Sequence, residues 1–135
     1  EVKNKSKGSV FLLTTRADAV AACLRLPGAY EDYPFDDPNW TAMRHRDNQK
    51  IFALVFEREG HIWINVKAQP MWADFWRRTF SAVVPAYHMN KEHWVSVILD
   101  GSMKNEDICR LIEESFALTA PKNRHQKAQR RSPDC

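Results

Sequence analysis

Ile51-Phe52-Ala53-Leu54-Val55-Phe56-Glu57-Arg58-Glu59-Gly60-His61-Ile62-Trp63-Ile64-Asn65-Val66-Lys67 reads as two strands and the turn between them. Ile51 to Phe56 is apolar at every position, as a strand covered on both faces or lying at the centre of a sheet requires. Glu57-Arg58-Glu59-Gly60 is a polar turn closed by glycine. His61 to Lys67 then alternates, with Ile62, Ile64 and Val66 on the inward face and His61, Trp63, Asn65 and Lys67 on the other. A turn this short forces antiparallel pairing, so the fold is built on an antiparallel sheet.

Upstream of the hairpin, Thr41 to His45 and Tyr30 to Tyr33 read as two further strands. They are separated by the Pro- and Asp-rich loop Pro34 to Asn39. A helix is predicted over about residues 16–26. Thr15 and Asp18 form a capping box at its start, Ala17, Val20, Ala21 and Leu24 form its buried stripe, and Pro27-Gly28 closes it. Downstream, Pro70 opens a helix with Trp72, Phe75, Trp76 and Phe80 along one side and Asp74, Arg77 and Arg78 off it. Residues 83–87 read as extended, and Trp94 to Leu99 as a strand ended by Asp100-Gly101. The last helix runs from about Asn105 to Thr119 on Ile108, Leu111, Ile112 and Leu118, with Glu106 four residues before Arg110, and Pro121 follows it. The order is helix, three or four strands, helix, one or two strands, helix. This is an α+β fold with helices packed on the antiparallel sheet.

A length of 135 residues fits one domain. Five Trp, seven Phe and three Tyr supply a large apolar payload for so short a chain. The basicity is at the ends. Residues 1–8 contribute +2 and residues 121–135 contribute +4 to a total of +3, so residues 9–120 carry −3. The domain is therefore expected over 9–120, between two disordered basic tails at 1–8 and 121–135. A phosphate-binding face on it would have to be local. No window is apolar over the roughly 18–20 residues of a membrane span. Val10 to Leu13 is broken by Thr14-Thr15-Arg16, so no signal peptide is expected. The three cysteines are odd in number and widely spaced, and Cys23 and Cys109 within helices are expected to be reduced. All of this points to the cytoplasm.

Chemistry-bearing residues are sparse. His88 and His93 are five apart, off the i, i+4 spacing of a helical zinc pair, and no CxxC accompanies them, so no metal is expected. No nucleophile elbow is present, and the cysteines lack a flanking base. Glu31-Asp32 and Asp36-Asp37 sit among turn residues and read as solvated. The body's glycines at 28, 60 and 101 make no phosphate loop. The expectation is a protein that is not an enzyme and needs no cofactor. Two clusters remain as candidate contacts for DNA or another anion. The first is Arg44, Arg46 and Lys50, at a hairpin end shaped like a wing. The second is Lys67 with His88, Asn90, Lys91 and His93. The strand ending at Lys67 is predicted to neighbour the strand starting at Trp94, which would bring Lys67 to the His88–His93 turn.

The strings Leu24-x-Leu26-Pro27-Gly28-Ala29-x-Glu31-Asp32-x-Pro34-Phe35, Asn65-Val66-Lys67, Pro85-Ala86-Tyr87-His88-Met89-Asn90-Lys91-x-His93-Trp94 and Leu99-Asp100-Gly101 resemble the MmcQ/YjbR family over about residues 15–120. Ala86 stands where the family pattern has Gly. The resemblance implies a two-layer fold of order α-β(3)-α-β(2)-α, similar to the double-wing DNA-binding domain of a phage transcription activator and also to type III secretion chaperones. It therefore implies two candidate partners, double-stranded DNA and a protein segment. An exposed aromatic patch around Trp63, Trp72 and Trp76 would suit the second. A small anionic ligand under Tyr87–Trp94 is a third possibility. The same string also reads as a brace between the second helix and the last strand.

Overall fold

The computed structural model describes residues 12–122. The tail assignments for 1–8 and for all but the first two residues of 121–135 lie outside them. The elements are α1 (Arg16–Leu24), β1 (Ala29–Asp32), β2 (Thr41–His45), β3 (Ile51–Arg58), β4 (His61–Lys67), α2 (Pro70–Thr79), β5 (Val83–Pro85), β6 (Trp94–Leu99) and α3 (Asn105–Thr119). The strands form one antiparallel sheet in the order β1-β2-β3-β4-β6-β5. Four strands precede α2, the short β1 being the one not counted in an α-β(3)-α-β(2)-α scheme. β4 and β6 are neighbours, with Lys67 opposite Trp94.

The hairpin that decides the fold is its centre. Phe52 to Phe56 are all buried, and the register slips so that Arg44 faces Ile51 and Met43 faces Ala53, which leaves Phe52 as the extra residue of a bulge. The slip turns Phe52 to the helical side, where its ring meets Phe116 and His45 edge-on at 4.9 and 5.4 Å. Ala53, Val55, Ile62, Ile64, Val66, Val95, Val97 and Leu99 complete that face beneath the helices. α1 packs over β1–β3, α3 over β3 and β4, and α2 over β5 and β6.

Thr15 caps α1 as expected, accepting from the Asp18 N–H at 3.1 Å while Asp18 accepts from the Thr15 N–H at 3.4 Å. The buried stripe, however, is Ala19, Ala22, Cys23 and Leu26, while Ala17, Ala21 and Leu24 are exposed. The helix is apolar around most of its girth, and the same i, i+3, i+4, i+7 template starts equally well at Ala19. Cys23 is a free thiol whose pKa burial pushes up to about 12. Cys109 is disulfide-bonded, so the expectation of reduced thiols holds for Cys23 alone. On α3, Ser115 and Thr119 replace the expected Leu118 in the buried stripe, and Arg110 pairs with Asp107 at 3.7 Å rather than with Glu106. No helix among the described residues is long and apolar enough to cross a membrane.

Candidate functional site

The face of the sheet turned away from the helices is covered, which the alternation of β4 alone does not reveal. Trp63 is 6% exposed and Asn65 fully buried. Residues 86–93 leave the edge strand β5, cross this face and return to start β6. A buried polar set fixes the crossing. The Asn65 Nδ2 donates to the Tyr87 carbonyl at 2.9 Å, the Tyr87 N–H donates to Ser96 Oγ at 2.8 Å, and Ser96 Oγ donates to Asn65 Oδ1. The Tyr87 ring then lies beside Phe56 (5.7 Å), Trp63 (6.2 Å) and Trp40 (6.4 Å), and Trp40 stacks on Phe56 at 4.2 Å. The Arg58 guanidinium sits over both the Tyr87 and Trp63 rings, at 4.3 and 4.8 Å. His88, at φ 63°, holds the left-handed conformation at the tip, against Tyr87 and Trp40. Asn90 Oδ1 accepts from the Glu92 and His93 N–H groups and so shapes the return. Its acceptor is used within the chain, while His88, Lys91 and His93 are exposed.

The other basic cluster is largely engaged. Arg44 Nε donates to Asp32 Oδ2 at 2.7 Å and its Nη1 to the Gln49 carbonyl at 2.7 Å. Arg46 lies over the Tyr30 ring at 5.0 Å. The turn is tied to the end of α3, where Asn48 Nδ2 donates to the Thr119 carbonyl at 3.0 Å. His45 Nε2 meets Thr119 Oγ1 at 2.8 Å beneath it, and burial pushes this imidazole below its usual pKa. Lys50 is exposed. Strand directions bring this turn, Lys67 and His93 to one end of the sheet, and the Ala68 N–H donates to the His93 carbonyl at 2.9 Å. His88, at the crossing's tip over the sheet, stands apart from that end.

An open apolar groove lies between α2 and α3. The sheet ends at β5, three residues long, so α2 overhangs it. Only Ala73 and Trp76 of α2 are buried, while Met71, Trp72 and Phe75 are 78%, 46% and 43% exposed. With Thr79, Phe80, Asp107, Arg110 and Glu114, the Trp72, Phe75 and Trp76 rings line a groove of about 500 Å³. The expected patch around Trp63, Trp72 and Trp76 thus loses Trp63, which is on the opposite face of the sheet. Trp76 Nε1 donates to Glu114 Oε1 at 3.3 Å, and the Gln69 N–H at the head of α2 also donates to this carboxylate. Both donors are neutral, and half-burial raises the Glu114 pKa above its usual value. A raised carboxyl pKa favours folding fully below the unfolded value of about 4.5. That contribution is lost as pH rises through the folded value. Glu114→Gln should therefore raise the melting temperature at pH 7, and the gain should shrink towards pH 4. A calorimetric pH series reads this directly.

The sequence model of a family described as YjbR matches residues 24–118. The uncharacterized protein YyaQ of Bacillus subtilis (strain 168) is 34% identical over 118 residues, covering 79% of this chain and 99% of its own. The uncharacterized protein YjbR of Escherichia coli (strain K12) is 32% identical over 102 residues, covering 76% and 84%. Among solved structures, Deinococcus radiodurans protein DR2400 superposes with a TM-score of 0.74 at 27% identity, covering 84% of each chain. A Pseudomonas syringae protein superposes at 0.70 and 32% identity, covering 78% of this chain and 99% of its own.

Proposed function

The chain belongs to the YjbR family of small α+β proteins, and from that footing we propose that it is a non-catalytic docking module whose α2–α3 groove takes an apolar, lysine-bearing protein segment. The observation that carries this is the exposure of Met71, Trp72 and Phe75 beside an open groove. Contiguous exposed aromatic surface is costly to leave in water and is characteristic of binding sites. Charge supports the basic element, since among the described residues the hydrogen bonds Glu114 accepts come from the neutral Trp76 and Gln69 N–H groups, and Asp107 is shared with Arg110. The test is an NMR titration with a leucine–lysine model peptide. Saturable shifts confined to Trp72, Phe75, Phe80 and the facing side of α3 are expected, and shifts centred on residues 44–50 or 87–94 would overturn the proposal.

A second reading, duplex DNA binding, is favoured by one observation: Arg46, Lys50, Lys67 and His93 gather at one sheet end. It predicts that the double variant Lys67→Ala/Lys91→Ala loses salt-dependent DNA binding with little change in stability, because exposed charges contribute about 0–1 kcal/mol. The docking proposal predicts that the double variant retains DNA as the wild type does, and that any retention at low salt disappears when residues 121–135 are removed. A mobility-shift series at two salt concentrations separates the two.

A further inference from the structure

We infer that the partner segment of the α2–α3 groove is an amphipathic α-helix, seated with its apolar stripe on Trp72 and Phe75 and with a lysine at the Glu114 end. The inference rests on the docking proposal and adds the partner's conformation and register. Backbone chemistry carries it. Both walls of the groove are helices, and along a helix the backbone N–H and C=O groups bond one another. The walls therefore offer a ligand side chains and little free backbone. An extended segment laid between them would take its own N–H and C=O groups out of water without giving them partners, which is costly. A helix satisfies those groups within itself.

Strand addition beside the groove is disfavoured as well. The edge strand beneath α2 is β5, only three residues long. Its Val83 N–H already bonds the Phe80 carbonyl at 3.1 Å, and Pro85 has no N–H to donate.

The spacing of the lining fits the same occupant. Trp72, Phe75 and Thr79 stand at i, i+3 and i+7 on α2, facing Asp107, Arg110 and Glu114 at the same spacing on α3. Seven residues rise about 10.5 Å, so each wall presents about two turns of ridge to a third helix. Met71, 78% exposed, adds a flexible thioether that can adapt to aliphatic side chains. Charge sets the register. Glu114 accepts from the neutral Trp76 and Gln69 N–H groups, while Asp107 already pairs with Arg110 at 3.7 Å. The partner's lysine therefore belongs beside Glu114, flanking the stripe.

The experiment uses two peptides of about 14 residues, roughly 21 Å long as helices, with one leucine–lysine composition in two orders. One places Leu at i, i+3, i+4 and i+7, and the other alternates Leu with Lys. Net charge and apolar content are equal, so only the period differs. Each is titrated into the full-length chain by calorimetry, and the isotope-labelled peptide is followed by NMR in the bound state. The helix-period peptide is expected to bind at least tenfold tighter, with helical backbone shifts, and a central proline should weaken it more than tenfold. Glu114→Gln keeps the groove's shape and should weaken its binding about fivefold. Equal or tighter binding of the alternating peptide, or extended shifts in the bound state, would overturn the inference while leaving the docking proposal intact. Unchanged affinity in Glu114→Gln would overturn the placement of the lysine. Failure of both peptides to bind would overturn the inference and the docking proposal together.

Discussion

Replacing Asn65 by Leu should lower the unfolding free energy by about 2–5 kcal/mol. Leu matches the side chain in bulk but makes no hydrogen bonds. It would leave the Tyr87 carbonyl without its donor and Ser96 Oγ without its acceptor, in a site where Asn65 and Ser96 are both fully buried. Each orphaned group costs about 1–3 kcal/mol, and the groups polarise one another, so the loss is not a simple sum. The same change should free the crossing segment. Amide exchange at Tyr87, whose N–H is held by Ser96 Oγ, should accelerate far more than at Ile64 in the adjoining strand. Urea unfolding and hydrogen exchange on one sample check both. A loss under about 1 kcal/mol would mean that the Tyr87, Trp40, Phe56 and Arg58 stack holds the segment unaided.

That prediction assigns the Tyr87–Trp94 string mainly to architecture, and it shows where sequence reading reaches its limit. The strand limits Thr41–His45, His61–Lys67 and Trp94–Leu99 and the cap at Thr15 were legible, because alternation, Pro, Gly and the Thr-x-x-Asp spacing are local signals. The neighbouring of β4 and β6 was legible from the same elements. The role of Asn65 was not. Its partners lie 22 and 31 residues away, and nothing in an alternating strand tells whether its outer face meets water or another segment. Arg58, Trp40 and Arg16 were missed for the same reason. Arg16 Nη1 and Nη2 tie α1 to the Asn39 carbonyl and side chain at 2.9 and 2.8 Å, and Arg16 Nη1 also reaches the Val55 carbonyl at 3.2 Å. Likewise Arg44 looked available for phosphate until Asp32, twelve residues earlier, proved to be its partner. The α2 stripe was read correctly as a stripe. That its Trp72 and Phe75 remain exposed follows from the sheet ending at a three-residue edge strand, and strand length at an edge has only a weak sequence signal.

The largest functional effect is expected at Trp72. It is 46% exposed, meets Phe75 edge-on at 5.3 Å and flanks Trp76 at 6.0 Å, so it is a wall of the groove more than a part of the core. A central aromatic anchor removed from an interface typically costs 2 kcal/mol or more, roughly thirtyfold in affinity. Because the ring is half in water already, Trp72→Ala should cost the fold only about 1 kcal/mol, well below the 3–5 kcal/mol of a core tryptophan. The direct measurement is a titration of the leucine–lysine model peptide into Trp72→Ala, into Lys67→Ala/Lys91→Ala and into wild type, with unfolding followed in parallel. The docking account predicts binding weakened roughly thirtyfold or more in Trp72→Ala alone, with all three chains folded. Unchanged binding by Trp72→Ala, with the loss falling on Lys67→Ala/Lys91→Ala, would contradict it.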